Sequence, residues 1–347
     1  MYPVVSTLRS HCCGYYQCFR SISTTTFNSK IRNELSSINV FDRNTKTLQR
    51  QRAAVAEDVN LYDYLKDEIG YRLADRICDI KRKFKLAADI GCNRGYVSKH
   101  ISPDSVEELI VCDVSQKNLD RVPVMDGIKL KKLILDEENI EFKPNSLDLV
   151  VSSLSLHWVN DLPKAFHKIL ESLKEDGVFL ASVFGGDTLY ELRSSLQLAE
   201  MERRGGLSPH ISPFTEVRDI GSLLTNAGFT MLTIDTDEIV VNYPTVFELM
   251  WDLKGMAESN AALNRSLHLH RDIQFAAAAI YQQLYGKIDP ETGKMTVPAT
   301  FQIINMLGWK PHPGQPKPLE RGTGEFSLKD LNKLNEIVKE VKIVKDD

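Results

Sequence analysis

Short apolar runs recur along the chain, and segments with helical spacing lie between them. Each run has the length of a strand and is bounded by polar residues or turn signals. The runs lie near residues 86–90, 109–113, 131–135, 147–152, 177–184 and 230–241. Strands that alternate with helices are typical of a largely parallel sheet covered on both faces, so the pattern predicts an α/β fold.

Helical segments are predicted on both sides of this alternating region. In residues 39–85, apolar residues recur at every fourth position and form one stripe that would lie on the sheet. This stripe comprises Leu61, Leu65, Ile69, Leu73 and Ile77. Residues 244–285 look helical again, with a stripe of Ile273, Ala276, Ala277, Ile280 and Leu284. Because a further strand is predicted over 297–309, residues 244–296 are interpreted as a helical insertion that caps the site.

One helix inside the alternating region has its own start and stop signals. Thr188 and Glu191 have the spacing of a capping box, which predicts a helix start there. The pair Gly205-Gly206 predicts its end. A second short helix is predicted over 96–101.

Composition limits the classes of function. The 347 residues are 42% hydrophobic and 26% charged, enough for one large domain or two small ones. The net charge of −4 gives no global basic field, so a nucleic-acid partner is not predicted. The sequence has no apolar run that approaches the ~18 residues needed to span a bilayer.

The two ends of the chain differ from its middle. The first 33 residues hold four basic residues and no acid and are rich in Ser and Thr, which is typical of a mitochondrial transit peptide. Three of the six cysteines lie in this leader, and Cys78, Cys92 and Cys112 lack metal-ligand spacing, which suits a reducing compartment. Residues 311–347 are predicted to be a mobile charged tail with one weakly amphipathic segment at 328–341.

The loop at residues 89–95, Asp-Ile-Gly-Cys-Asn-Arg-Gly, carries the strongest chemical signal. It follows one predicted strand, and the next strand ends at Asp113, eighteen residues beyond Gly95. Glycine lets the backbone approach a ligand closely and adopt positive φ. A carboxylate at the tip of the second strand can accept both hydroxyls of a ribose. The layout predicts a cofactor that contains adenosine, whereas the loop alone would also suit a tight turn without a ligand.

The spelling of the loop resembles one cofactor class. It departs from the dinucleotide fingerprint G-x-G-x-x-G and resembles the D-x-G-x-G-x-G loop of class I S-adenosylmethionine (SAM) methyltransferases. Asn93 stands where the middle glycine is usual, and asparagine tolerates the left-handed region. By the same resemblance, Asp136 and Glu137 after the third strand would meet the adenine amino group. The alternative is a solvated helix N-terminus, where acids are also favoured.

Four residues are candidates for chemistry beside the cofactor. His157 and Trp158 follow the fourth strand, where ligands lie in such sheets, so His157 could act as a base or the pair could simply close over the cofactor. Arg193 could grip a substrate carboxylate or form a surface salt bridge with Glu191. His210 lies in a loop, residues 208–214, that could close the pocket.

A metal site is not predicted. The segment 268–272, His-Leu-His-Arg-Asp, contains the H-x-D spacing of an iron facial triad. We expect this segment to be helical, and positions i and i+2 of a helix do not face one way.

Several longer motifs resemble one family. They are residues 39–43 (N-V-F-D-R), the glycine loop, residues 152–161, residues 184–193 (F-G-G-D-T-L-Y-E-L-R), residues 208–214 (S-P-H-I-S-P-F), residues 297–300 and Trp309-Lys310. Together they resemble the arginine hydroxylases that act as mitochondrial complex I assembly factors, from about residue 39 to 312. A more distant resemblance, through the T-L-x-E-L-R helix start, is to the malonyl-acyl-carrier O-methyltransferase of biotin synthesis.

The resemblance implies a Rossmann-like class I SAM-methyltransferase fold, with a seven-stranded, mostly parallel sheet and a helical insertion before the last strand. It implies a matrix enzyme that hydroxylates an arginine of an iron–sulfur subunit of complex I at an early assembly stage, together with other assembly factors. A peripheral contact with the matrix face of the inner membrane is left open. The expected cofactor positions are Asp89, Gly91, Asn93, Gly95, Asp113 and Asp136, to which we add Glu137 and Ser152.

The expected organisation follows from these motifs. It comprises a transit peptide (1–33), an N-terminal helical segment (39–85), a SAM-binding core (86–243), the insertion (244–296), the last strand of the core (297–310) and the tail (311–347). Two other functions stay open. The residues by themselves favour methyl transfer to a protein or acyl-carrier substrate, because they show no metal site for oxygen activation. A non-catalytic SAM-binding assembly scaffold is the second alternative.

Overall fold

The sheet contains the seven expected strands and one more. The structure, a computed structural model, describes residues 39–290 and 293–316, so the predicted leader and most of the tail lie outside the described residues. The strands are β1 (Phe84–Ile90), β2 (Val106–Asp113), β3 (Lys129–Ile134), β4 (Leu147–Ser153), β5 (Leu173–Phe184), β6 (Thr230–Tyr243), β7 (Lys287–Ile288) and β8 (Met295–Trp309). The two-residue β7, which pairs only with β8, is too short to leave a pattern in the sequence.

The strand order is β3-β2-β1-β4-β5-β8-β6. Neighbours from β3 to β5 are parallel, and β8 runs antiparallel to both β5 and β6. The expected mostly parallel α/β sheet is therefore confirmed. Asp89 lies in register with Val111 on one side and Val151 on the other, so the carboxyl ends of β1, β2 and β4 meet at one edge.

Eight α-helices are described. They are α1 (Arg43–Val55), α2 (Tyr64–Asp79), α3 (Gln116–Arg121), α4 (Leu162–Ser172), α5 (Tyr190–Arg204), α6 (Val217–Ala227), α7 (Val246–Gly255) and α8 (Arg271–Tyr285). In α2 the predicted stripe from Leu65 to Ile77 is buried against the sheet. Leu61 does not belong to it, because it lies in a separate 3-10 turn and is 72% exposed.

Three local predictions are wrong. No α-helix follows the glycine loop, where only the 3-10 turn Ser98–His100 forms. The capping box is absent, because Leu189 is the N-cap of α5 and the Thr188 hydroxyl donates to the Gln302 carbonyl oxygen. The segment that carries His268 and His270 is not helical, because α8 begins at Arg271.

The insertion between β6 and β8 carries α7, α8 and the short β7. Its predicted stripe is buried at Ile273 and Ala277, whereas Leu284 is exposed. The loop between α7 and α8 reaches back to the N-terminal segment, where Phe41 forms an isolated bridge with Ala262. Within the described ranges, no helix is both long enough and apolar enough to cross a membrane.

Candidate functional site

The loop after β1 has the backbone conformation that its glycines suggest. Gly91, Asn93 and Gly95 all have positive φ, at 70°, 50° and 82°. Asn93 therefore adopts the left-handed conformation that glycine would favour, and its Nδ2 donates to the Gly91 carbonyl oxygen at 3.1 Å. The loop therefore keeps a left-handed residue at the position of the usual middle glycine.

Asp113 joins this loop to the end of β2. Its buried carboxylate accepts hydrogen bonds from the Asn93 amide at 3.1 Å, the Ser115 amide at 2.7 Å and Asn118 Nδ2 at 3.1 Å. Burial raises the pKa of Asp113 although the nearby Arg50 charge opposes it. The carboxylate thus holds the glycine loop and the start of α3 in place.

Asp89 is the unusual carboxylate of the site. It is fully buried at the end of β1, and neither carboxylate oxygen has a hydrogen-bond partner among the described residues. Burial, with a further contribution from the Asp113 charge, raises the pKa of Asp89 to about 8. A buried polar group without a partner is costly, so this carboxyl is suited to a donor or cation supplied by a ligand.

The acids after β3 are held by two arginines. Glu137 is fully buried, forms ion pairs with Arg50 and, at 2.5 Å, with Arg43, and accepts a 2.6 Å hydrogen bond from the Ser155 hydroxyl. Burial would raise the pKa of Glu137, but the charges of Arg50 and Arg43 outweigh it and hold the pKa well below its usual range. Asp136 pairs with Arg43 at 2.6 Å. No helix begins there, so the alternative of a solvated helix N-terminus is not observed.

Helix α1 supplies a group of cations that the sequence analysis missed. Arg43, Lys46 and Arg50 have spacings of three and four residues, so they share the face that packs onto the site. Lys46 Nζ donates to the carbonyl oxygens of Ala257 and Ser259 at 2.8 and 3.1 Å and lies 3.3 Å from the centre of the Trp158 ring. Burial lowers the pKa of Lys46 well below its usual value. The sequence does contain a signal for this face. Basic residues occupy the helical spacing at which apolar residues normally form the buried stripe.

His157 lies in a buried aromatic group at the carboxyl end of β4. Its ring centre is 4.9 Å from that of Phe184 and 5.5 Å from that of Phe214, which belongs to the 208–214 loop. Burial lowers the pKa of His157, so its imidazole is neutral near pH 7. Its Nδ1 has no partner among the described residues, and its Nε2 lies 3.4 Å from Glu258.

Glu258, from the insertion, is the second feature that the sequence analysis missed. Its carboxylate accepts from Trp158 Nε1 at 2.8 Å and pairs with Lys66 at 2.6 Å, all in the protein interior. No motif marks Glu258 in the sequence, because its partners lie on α2 and after β4. The structure therefore brings His157, Trp158 and Glu258 together beside the cations of α1.

Three predicted site residues make contacts within the protein. The Ser152 hydroxyl donates to the Ile90 carbonyl oxygen at 2.7 Å and ties β4 to β1. Arg193 donates to the carbonyl oxygens of Gly186 and Thr188 at 3.0 and 3.3 Å, and Glu191 instead accepts from Thr300, so the predicted Arg193–Glu191 salt bridge does not form.

His210 is the third of these residues. Its Nε2 lies 3.1 Å from the Glu200 carboxylate, which also accepts from Ser208, so it fastens its own loop to α5. In the part of the chain that is described, no group of three His, Cys, Asp or Glu side chains could hold a metal ion.

The side chains at this edge have the chemistry that SAM requires. Asp113, Asp136 and Glu137 can accept from hydroxyl and amino groups, the loop backbone has positive φ, and the orphaned Asp89 carboxyl suits a cationic amino group. The edge is closed in this structure, because Arg50 lies on Glu137, and Glu137 Oε1 is 2.9 Å from the position of a Cβ at Gly91.

Comparisons with known proteins agree with this description. The model of a methyltransferase-domain family matches residues 64–234, a range that includes the glycine loop, Asp113 and His157 but neither α1 nor Glu258. The protein named arginine-hydroxylase NDUFAF5, mitochondrial, of Mus musculus is 53% identical over 87% of this chain and 86% of its own length. The Dictyostelium discoideum protein of the same name is 43% identical over 86% of this chain and 71% of its own length. A malonyl-[acyl-carrier protein] O-methyltransferase of Methylovorus is 28% identical over 71% of this chain and 82% of its own length.

Proposed function

The chain belongs to the family of mitochondrial arginine hydroxylases built on a methyltransferase domain, and from that premise we propose that it binds SAM and hydroxylates an arginine of an iron–sulfur subunit of respiratory complex I. The reaction takes place in the matrix, during early assembly and with other assembly factors present. The observation that carries the cofactor proposal is the buried acidic edge at Asp89, Asp113 and Glu137, next to a loop with positive φ.

The residues that would hold the cofactor follow from their chemistry. Asp113 would accept the ribose hydroxyls, Asp136 or Glu137 the adenine amino group, and Asp89 the cationic amino group. Gly91, Asn93 and Gly95 would let the backbone approach the ligand. When bound, SAM supplies a sulfonium centre that carries an electrophilic methyl group.

The chain's own contribution to chemistry lies at His157. A neutral imidazole with a free Nδ1 can hold a proton or accept a hydrogen bond from a substrate nitrogen. The rings of Trp158, Phe184 and Phe214 exclude water from it. Hydroxylation replaces a C–H or N–H bond by a bond to oxygen, and with dioxygen as the oxidant it also consumes two electrons and two protons to release water. The proposal therefore includes dioxygen and an external two-electron donor.

The second candidate is SAM-dependent methyl transfer to a protein or an acyl-carrier substrate. The similarity to the Methylovorus O-methyltransferase favours it. The contacts of Arg193 do not favour the acyl-carrier form, because its guanidinium donates to two backbone carbonyl oxygens rather than facing an open carboxylate site.

The test is peptide mass spectrometry of the complex I iron–sulfur subunits from cells with the protein, cells without it and cells with Asp113→Ala. Asp104→Ala, at an exposed position away from the edge, is the matched control. We expect one arginine to be lighter by one oxygen in the null and Asp113→Ala lines only. An arginine lighter by one methylene would instead establish a methyltransferase. If cells without the protein are deficient in assembly but the masses of these subunits are unchanged, the non-catalytic scaffold is the function that remains.

A peripheral contact with the inner membrane belongs to this proposal as its localisation. The insertion exposes Trp251, Leu267 and Phe275. Exposed aromatic and aliphatic side chains can enter a membrane interface. Fractionation of mitochondria at high salt and at alkaline pH would distinguish matrix protein from protein held at the membrane surface.

A further inference from the structure

Helix α1 lies directly over the acidic edge. Its Arg50 is 4% exposed and forms an ion pair with Glu137, its Nη2 donates to Ser155 Oγ at 2.8 Å, and its Nη1 lies 4.0 Å from Asp113. Arg43, seven residues earlier on the same face of the helix, binds Glu137 and Asp136. The two arginines of one helix therefore engage three carboxylates at the ends of β2 and β3.

These carboxylates are the ones that an adenosine would need. Glu137 has no exposed surface. Its Oε1 accepts hydrogen bonds from Arg50 and Ser155, and its Oε2 accepts one from Arg43. Glu137 and Ser155 also fill the space in front of Gly91, where the loop backbone would approach a ligand. A guanidinium and an adenosine cannot both bind Glu137 in this arrangement.

We infer that Arg50 is a latch: its guanidinium holds α1 closed over the cofactor edge. The adenosine of the cofactor must displace this guanidinium in order to bind. The inference rests on the proposed function, since it concerns the same site. The affinity for the cofactor is then set by two opposing terms, the contacts of the adenosine and the ion pair that it breaks. Because only the fraction of molecules with an open latch can bind, the latch lowers the apparent affinity.

Other contacts attach α1 and the residues before it to the insertion. Lys46 donates to Ala257 and Ser259, Arg265 binds the N-cap residue Asp42 at 3.2 Å, and Phe41 pairs with Ala262. The 256–265 loop therefore holds α1 in position, and Arg50 and Arg43 are its contacts with the cofactor carboxylates. Release of Arg50 leaves these attachments in place, so the latch can open without loss of α1.

The experiment is calorimetric titration of the full chain with 5′-methylthioadenosine and with SAM. Methylthioadenosine carries the adenosine but neither the carboxylate nor the ammonium of SAM, so it reports on the adenosine contacts alone. The variants are Arg50→Met, which removes the guanidinium, Arg50→Lys, which keeps a single charge, and Arg52→Met, an exposed arginine on the same helix, as the matched control. Circular dichroism verifies that each variant is folded.

We expect Arg50→Met to bind both ligands about tenfold more tightly than the original chain. The affinity of Arg50→Lys should lie between those of Arg50→Met and the original chain, and Arg52→Met should bind as the original chain does. Weaker SAM binding with unchanged methylthioadenosine binding would overturn the latch and make Arg50 the partner of the SAM carboxylate. Weaker or equal binding of both ligands would also overturn it. If Arg50→Met does not fold, Arg50→Lys decides by the same criteria. Absence of binding in every folded variant would refute the SAM proposal itself, a result distinct from failure of the latch.

Discussion

The indole Nε1 of Trp158 donates a 2.8 Å hydrogen bond to Glu258, which joins the turn after β4 to the insertion 100 residues further along the chain. The same carboxylate pairs with Lys66 on α2 at 2.6 Å. Burial would raise the pKa of Glu258, but Lys66 and His157 outweigh it and hold the pKa well below its usual range. Three separate parts of the fold thus meet at one buried carboxylate.

Glu258→Gln is expected to lower the free energy of unfolding by about 3–5 kcal/mol, because it leaves the buried Lys66 ammonium without a counterion. Urea denaturation followed by circular dichroism measures the change. Glu202→Gln, at an exposed position, is the control and should change stability by less than about 0.5 kcal/mol. Equal effects of the two substitutions would mean that the Glu258 network does not stabilise the fold.

Gly91→Ala and Gly205→Ala form a matched pair. Both glycines have positive φ, at 70° and 66°, so each substitution should cost about 1–2 kcal/mol for the left-handed conformation. Around Gly205 nothing lies within 4 Å of the added Cβ, whereas at Gly91 the Cβ would meet Ser155 and Glu137. We therefore expect a further loss of about 1–3 kcal/mol at Gly91. Urea denaturation of both variants measures the two losses of unfolding free energy. Equal losses would mean that the loop has room for a Cβ at Gly91.

The buried Asp89 carboxyl should make stability depend on pH. Its pKa is raised to about 8 in the folded chain from an ordinary value of 3.8, so its stabilising contribution is complete below about pH 4 and is lost as the pH rises to about 8. Asp89→Asn stays neutral and removes this dependence, which amounts to up to about 1.4 kcal/mol per pH unit. The stability difference between Asp89→Asn and the original chain, measured in urea from pH 5 to pH 9, should grow in favour of the variant. Parallel curves would show that Asp89 titrates normally.

Binding of SAM should release protons at pH 7. The ammonium of the ligand favours the ionised form of Asp89, which is largely protonated beforehand because its pKa is raised to about 8. Titrations in buffers of different ionisation enthalpy measure the number released, which we expect to approach about one. Methylthioadenosine, which lacks the ammonium, and the Asp89→Asn variant with SAM should each release none. Release by methylthioadenosine would assign the proton to another group.

His157→Asn should separate chemistry from cofactor binding. We expect the iron–sulfur subunit to lose its added oxygen, because general acid–base groups contribute about 10²–10⁴-fold to rate. The variant should bind SAM within about threefold of the original chain, since His157 contacts aromatic rings and Glu258 rather than the glycine loop. Mass spectrometry of the subunit in complemented cells and calorimetry give the two readouts.

Arg193→Met is the comparison for His157→Asn. It should reduce stability by about 1–3 kcal/mol because two carbonyl groups lose their donor, yet the modification should persist wherever folded protein accumulates. Loss of the modification at normal protein levels would return Arg193 to the list of candidate site residues. Persistence of the added oxygen in His157→Asn would remove His157 from it.

The sequence by itself determined the seven long strands and the edge of the sheet at which the loop glycines and the acids lie. Apolar runs of strand length that alternate with helical segments favour a parallel sheet covered on both faces, and loop glycines with an acid at the next strand end are local features. Asp89 and Gly91 are neighbours in the sequence, and Asp113 ends the next strand, so their proximity follows once β1 and β2 pair in register. The same locality explains why their position at one edge could be predicted without the structure.

Only the tertiary structure decided which polar groups meet across the chain. Glu191 has the spacing of a capping residue, but it binds Thr300, 109 residues away, because β8 returns next to α5. Arg50 and Glu137 are 87 residues apart, and Trp158 and Glu258 are 100 apart. Such contacts depend on how α1 and the insertion pack on the edge, and neither periodicity nor local spacing carries that information. The position of the acids at one edge of the sheet was therefore predictable from the sequence, whereas the cations that cover them were not.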